Sequence, residues 1–403
     1  MKLNSAIVLA SMLLSMLCSA QNSASEDSLI NGGKKPGTYL GGYGNFFYQY
    51  NRNEKTSEIN LERVVLFLGH HFNDKFSFIS EFEVEDAKVS GGENGGEIAI
   101  EQAYIKFNVN RSSYFTAGLF LPRIGLMNEN HLPNTFNGNE RTQVETYIIP
   151  STWRELGIGF YTQLDAFPID LSFAVLNGLN SSAFEHGTVL REGRYEGRKA
   201  SANNLAFTAA MQYNKNNFKF QLSSYAGGTV GVSKKEADAL NLDSGPLGTP
   251  VLLAESDAQY NIKAFTLKAL ATIVTIPEAE KINAAYSNNT PETAYGIYAE
   301  ASFDFLYTKK TERKRSLLGF ARYEIMDLNS EIPSNGIDDP ILNQKHFIAG
   351  LCYLPIPNLA LKADVRLSNT GDQNPALITN PDPSAPGFKN DNSFINLGVG
   401  FSF

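Results

Sequence analysis

The 403-residue chain has 42 Asp and Glu against 34 Lys and Arg, a formal charge of −8. That balance argues against a basic nucleic-acid surface and gives the chain no overall attraction for anions. Of the two cysteines, Cys18 lies in the N-terminal leader and only Cys352 remains after processing, which excludes an intramolecular disulfide framework.

The N-terminus reads as an export signal. Lys2 is followed by the apolar run Ile7 to Leu17 and by the small residues of Cys18-Ser19-Ala20. Residues 1–20 are expected to be a signal peptide, 21–37 an N-terminal segment and 38–403 one domain. Leu17 stands where a lipoprotein signal would carry a small residue, so no lipid anchor is expected. No later run is long and apolar enough for a spanning helix of about 20 residues. The best, Leu267 to Ile276, is short and carries Lys268. An exported chain of this kind either is soluble or crosses a membrane as a closed barrel.

Thr38 to Tyr50 is rich in Gly and aromatics and reads as a first strand, and Ile59 to His70 as a second. From Phe76 to Asp86 the period is two. Phe76, Phe78, Phe82 and Val84 share one face, and Ser77, Glu81, Glu83 and Glu85 the other. Three carboxylates on one strand face cannot enter a dry core without partners, so they are expected to face a watery lumen, where they could also attract cations. Strands follow at Glu97 to Val109 and Tyr114 to Pro122. After a long interval they resume at Arg154 to Gln163 and Ile169 to Leu176.

The second half alternates more clearly. Phe218, Phe220 and Leu222 oppose Lys219, Gln221 and Ser223, and Tyr295, Ile297, Ala299 and Ala301 oppose Glu300 and Ser302. Leu318 and Phe320 interrupt the polar face that holds Arg322 and Glu324. Leu361, Ala363, Val365 and Leu367 oppose Lys362, Asp364 and Arg366, again placing ionic groups where water is expected. The last strand sets Ile395, Leu397, Val399, Phe401 and Phe403 against Asn396, Gly398, Gly400 and Ser402, and ends on an aromatic.

The count is sixteen strands. Short connections such as Asn110-Arg111, Leu164 to Pro168 and Asn214 to Asn216 alternate with long ones. The long ones include Ala87 to Gly96, Pro122 to Thr152, Asn177 to Asn203, Gly227 to Ser256 and Ser368 to Asp391. An even-stranded barrel with short periplasmic turns and long outer loops produces this rhythm. The fold class is therefore an all-β transmembrane antiparallel barrel, set in outer-membrane lipid, with polar outer loops.

The third long connection holds the only Trp, Trp153, and a cluster of charges. Its cations Arg123, Arg141 and Arg154 face four carboxylates, Glu129, Glu140, Glu145 and Glu155. Glu140-Arg141 and Arg154-Glu155 could be ion pairs pinning the loop, or line a pore. His131 reads as a hydrogen-bonded loop residue, because no second His lies at ligand spacing. No metal, cofactor or catalytic residue is expected, and no enzyme activity.

The segments G-L-F-L-P-R-I-G-L-M-N-E (118–129), Asn139-Glu140-Arg141 and W-R-E-L-G-I-G (153–159) resemble the phosphate/polyphosphate-selective porin superfamily. Arg63 to Leu66, Ser80 to Glu83 and Glu101 to Tyr104 are similar to its N-terminal half. The resemblance covers about residues 40–180. It implies a trimeric barrel of about sixteen strands whose third loop folds inward. It also implies passive diffusion of small hydrophilic solutes, phosphate or other anions among them, past a constriction at 123–152. Arg123, Glu129, His131, Glu140, Arg141, Glu145, Arg154 and Glu155 are the constriction candidates. Glu81, Glu83, Glu85, Lys362, Asp364 and Arg366 are expected to face the lumen. The competing readings are a structural or adhesive barrel working through its outer loops and a barrel hydrolase, which would need a nucleophile and base that no motif here supplies.

Overall fold

The alternating segments become sixteen strands in the computed structural model, which describes residues 36–85, 97–308, 315–378 and 387–403. They are β1 (Gly37–Asn51), β2 (Thr56–His71), β3 (Phe76–Glu85), β4 (Glu97–Asn108), β5 (Ser113–Phe120), β6 (Glu155–Leu164), β7 (Ile169–Asn177) and β8 (Leu205–Lys215). The second half adds β9 (Phe218–Gly227), β10 (Val251–Ile262), β11 (Phe265–Thr275), β12 (Thr293–Asp304), β13 (Ser316–Glu331), β14 (Asn343–Ile356), β15 (Leu359–Thr370) and β16 (Asp391–Ser402). Each pairs antiparallel with its neighbours in sequence, and β1 closes on β16 with Tyr43 opposite Ser402. Residues 1–35, which hold the expected signal peptide, lie outside the described residues, as does the connection 86–96.

The barrel is apolar outside and polar inside. On β15, Leu361, Val365 and Leu367 are 42–48% exposed, while Lys362 and Asp364 between them are 5–6% exposed. A ladder of exposed aliphatics around a polar interior suits lipid outside and water or a second protein layer inside. Pairs of outward rings sit where the strands meet the short turns: Phe76 on Phe107 at 4.8 Å, Phe115 on Phe160 at 4.9 Å and Phe265 on Phe303 at 4.7 Å. Such a belt is the usual anchor at a membrane interface. Mostly short turns close this end, and those after β8, β10 and β14 have two residues. Asn216, with φ +55°, supplies the left-handed residue of the Asn216-Asn217 turn between β8 and β9.

The long connections emerge at the opposite end and are less polar than expected. Leu179, Phe184, Val189 and Leu190 of 178–204 are buried together with Val230, Leu242, Ile276, Ile282 and Leu342 of the next three loops. They pack on inward wall residues such as Leu176, Val251, Val274 and Met326. Two short helices belong to this layer, α2 (Lys234–Ala239) and α3 (Ala279–Tyr286), numbered after α1 (Gln143–Tyr147) in the third loop. A reciprocal Ser233–Glu236 capping box fixes the start of α2. The largest buried apolar cluster of the described residues therefore sits inside the loop end of the barrel. Phe320, which broke the polar face of β13, points inward and is buried against Gly138 of the third loop. Among the described residues no helix is long and apolar enough to cross a membrane.

Candidate functional site

The third loop leaves β5 at Phe120 and joins β6 at Glu155. Its neck is closed by the buried Asn128. The amide nitrogen of Asn128 donates to the carbonyls of Pro122 (2.7 Å) and Trp153 (3.2 Å), and its oxygen accepts from the Trp153 backbone N–H (2.6 Å). The Trp153 ring packs on Tyr225 with centroids 4.6 Å apart. Beyond the neck, Gly125 turns with φ +75°, its N–H reaching Glu255 of β10 (3.3 Å) and its carbonyl accepting from Gln221 of β9 (3.1 Å).

The loop then descends through the lumen. Asn134 donates to the carbonyl of Pro357 in the β14–β15 turn at 3.0 Å, at the far end of the barrel. Pro133 lies against Gly400, where a Cβ would come within 2.7 Å of it, and Asn139 lies against Gly398. The small inward face of β16 makes room for the loop. On the return, Lys362 donates to the Gly138 carbonyl (2.7 Å). Asp364 accepts from the backbone and side chain of Asn139 (2.8 and 2.6 Å), and Arg366 pairs with Glu140 (2.8 Å). Glu324 of β13 accepts from the Val144 N–H at the start of α1 (3.1 Å). Arg191 and Arg194 of 178–204 cap the return by donating to the carbonyls of Thr146, Pro150 and Thr152.

The structure thus sorts the sequence candidates. Lys362, Asp364 and Arg366 face inward, but all three are engaged by the loop. Arg123 and Glu129 form an ion pair (2.7 Å) on the turn side. Glu140 pairs with Arg366 rather than Arg141, and Arg154 with Glu196 (3.3 Å) rather than Glu155. The partners come from β15 and from 178–204, far away in the sequence, so adjacency was a poor guide to pairing in this loop. Arg141 donates to the Ser151 carbonyl (3.3 Å). Glu155 accepts from Asn177 (2.6 Å) and is fully buried.

Glu145 and His131 are buried as well. Glu145 accepts from the Met127 N–H (2.7 Å) and the Tyr298 hydroxyl (2.8 Å), and burial pushes its carboxyl up to about 7. It ties α1 to the neck and to β12. His131 Nδ1 lies 3.0 Å from the Asn128 carbonyl and Nε2 lies 2.8 Å from the Tyr43 hydroxyl. Burial holds its pKa down at about 4, so it is neutral near pH 7. Around it, Glu81 accepts from Gln102 (3.2 Å) and Glu101 from Tyr43 (2.8 Å). Arg63 is shared by Glu62 (2.9 Å), Glu83 (3.5 Å) and Glu85 (3.6 Å). Of the three expected lumen carboxylates on β3, only Glu85 is substantially exposed; the loop covers Glu81 and Glu83.

Between the loop and the short turns lies a cavity of about 810 Å³. Exposed Asn214, Asn216 and Asn217 rim it, so it communicates with solvent at the turn end. Arg123, Glu129, Phe136 and Asn137 of the loop form its roof. Its charged lining is Lys106, Arg123, Lys219, Lys268 and Arg322 against Glu129 and Glu300. The charge balance of the loop alone missed this excess of cations, because the wall supplies it. Lys219 and Lys268 each sit on the inward parity of their strand, which was the available signal.

No family model matches the chain. An uncharacterized protein of Aquifex aeolicus (strain VF5) is 32% identical over 344 residues, covering 82% of this chain and 75% of that one. The chain belongs to the same family as that protein. Among solved structures, the outer membrane channel DcaP of Acinetobacter baumannii aligns with a TM-score of 0.55 at 12% identity, covering 92% of this chain and 99% of its own. The anion-selective porin from Comamonas acidovorans aligns at 0.54 with 11% identity, covering 92% and 100%. OmpT of Vibrio cholerae aligns at 0.53 with 10% identity, covering 93% and 100%. At these identities the likeness is one of fold, the general sixteen-strand porin barrel. It does not single out the phosphate-selective superfamily.

Proposed function

We propose that this protein is an outer-membrane porin that passes small hydrophilic solutes by diffusion, with a preference for anions. The observation that carries the reading is the solvent-connected cavity inside a closed, outwardly apolar barrel, with five cationic side chains and two carboxylates in its lining. Fixed charge at a narrow, low-dielectric passage raises the local concentration of counter-ions and sets selectivity. The third loop restricts the passage, with Arg123 and Glu129 on its cavity side, and its many wall contacts hold it in place. Phosphate is one anion such a lining would accept, beside chloride and small carboxylates.

The same reading places residues 1–20 as a cleaved export signal and the barrel in the outer membrane. A homotrimer is the expected assembly; one structure of OmpT of Vibrio cholerae is described in trimer form. In planar bilayers the purified protein should give stepwise conductance. Deleting Asn128 to Gln143 should raise each step several-fold. A folded protein that never conducts overturns the reading, and unchanged steps after the deletion remove the loop from the passage.

A further inference from the structure

The carboxylates and imidazole under the loop tip are arranged for more than hydrogen bonding. We propose that Glu81, Glu101 and His131 bind one divalent transition-metal ion of the zinc class, which fastens the loop tip to β3 and β4.

Among the described residues this is the one group of three His, Cys, Asp or Glu whose ligand atoms lie within 4.8 Å of one another. His131 Nε2 is 3.5 Å from Glu101 Oε1 and 4.0 Å from Glu81 Oε2. Tetrahedral zinc, with bonds of about 2.0–2.2 Å, holds its ligand atoms about 3.4 Å apart. The first distance already fits and the second needs a shift of roughly half an ångström.

The imidazole is set in the ligating tautomer. Nδ1 meets the Asn128 carbonyl, an acceptor only, so Nδ1 carries the proton and Nε2 presents its lone pair to the carboxylates. A backbone carbonyl on the second ring nitrogen is the usual outer support of a metal-bound histidine. Opposite that lone pair, Glu101 Oε1 is fully buried and accepts no hydrogen bond, although its carboxylate belongs to a residue with no exposed surface. The Tyr43 hydroxyl lies 2.8 Å from both Glu101 Oε2 and His131 Nε2 and has one proton to give. Glu101 Oε1 and His131 Nε2, 3.5 Å apart, thus face one another with lone pairs.

Local charge points the same way. Five carboxylates, Glu62, Glu81, Glu83, Glu85 and Glu101, gather around Arg63 and Arg141. Arg63 is spent on Glu62, Glu83 and Glu85. The hydrogen bond of Arg141 goes to the Ser151 carbonyl. Carboxylates thus outnumber guanidinium groups around the cluster, a setting that complements a divalent cation.

The test is metal uptake by the full-length barrel refolded in detergent after EDTA treatment. Titration with ZnCl₂ should show one equivalent bound, and CoCl₂ should give the visible absorption of a low-coordinate cobalt site. His131→Gln and Glu101→Gln should each weaken binding by about tenfold or more. Glu236→Gln on exposed α2 should bind as tightly as the parent. Folding of each variant is checked by its compact migration in unheated detergent gels. If His131→Gln does not fold, Glu101→Gln still decides, and if neither folds, the stoichiometry of uptake by the parent does. The absence of stoichiometric uptake, or uptake that Glu101→Gln leaves unchanged, overturns the proposal. Binding is read without current, so its outcome is independent of whether the barrel conducts.

Discussion

The inward row of β10 runs Asn261, Gln259, Asp257, Glu255, Leu253 and Val251 from the turn end to the loop end. That of β11 runs Thr266, Lys268, Leu270, Thr272 and Val274. At the turn end these rows meet an open, cationic cavity; at the loop end they enter a packed apolar layer built by loops three to seven. One wall therefore has two interiors. Apolar inward residues mark where it faces the packed apolar layer, and polar inward residues face either water or the polar backbone and side chains of the third loop. The third loop runs along the boundary, with Arg123 and Glu129 on the wet side and Ile148, Ile149 and Trp153 on the dry side.

The same charge placed at the two ends of one row should behave very differently. Val274→Lys places an ammonium in the apolar layer, where an unpaired buried charge costs roughly 3–5 kcal/mol. Thr266→Lys, at the cavity rim, should stay within about 0.5 kcal/mol of the parent. Denaturant unfolding from detergent measures both, and equal effects would contradict a dry loop end.

Glu145 tests the boundary itself. Burial keeps its carboxyl protonated up to about pH 7, while the unfolded chain releases that proton near the ordinary value of 4.5. Its contribution to stability is therefore greatest in acid and falls as pH rises from about 4.5 to 7, by up to about 3 kcal/mol. Glu145→Gln should flatten that slope. A parent that gains stability over the same window, or a variant with an undiminished slope, would show that the carboxylate is not dry.

A smaller effect is expected at the neck. Asn128→Ala strands the Trp153 N–H and two carbonyl acceptors, a loss of about 1–3 kcal/mol. The loop should then fluctuate, visible as increased open-channel noise with mean conductance little changed. Quiet channels of parental stability would mean that the neck is held elsewhere.

Much of the barrel was legible in the sequence. Period-two alternation and the short–long rhythm of connections led to sixteen strands, and Glu81, Lys362 and Asp364 lie buried on the inner side of the wall. The path of the loop was not legible, because its partners lie far away in the chain. Asn139 meets Asp364, Asn134 meets Pro357, and His131 meets Glu81 and Glu101. Three ionic groups on one face of β15 demanded either water or partners, and the sequence pattern cannot distinguish the two; the loop supplies partners. The cationic cavity was hidden for a related reason. Lys106, Lys219 and Lys268 come one each from β4, β9 and β11, so no local run announces them. The switch from polar to apolar along β10 and β11, by contrast, was readable and marks the depth of the packed layer.

On the function proposed above, solutes diffuse through a watery lumen whose wall lysines favour anions. The reversal potential of the purified protein in a KCl gradient across a planar bilayer tests it most directly. It should lie toward the chloride equilibrium potential, and the double variant Lys219→Glu/Lys268→Glu should move it toward potassium. A parent that favours potassium, or a double variant with unchanged selectivity, would contradict the account.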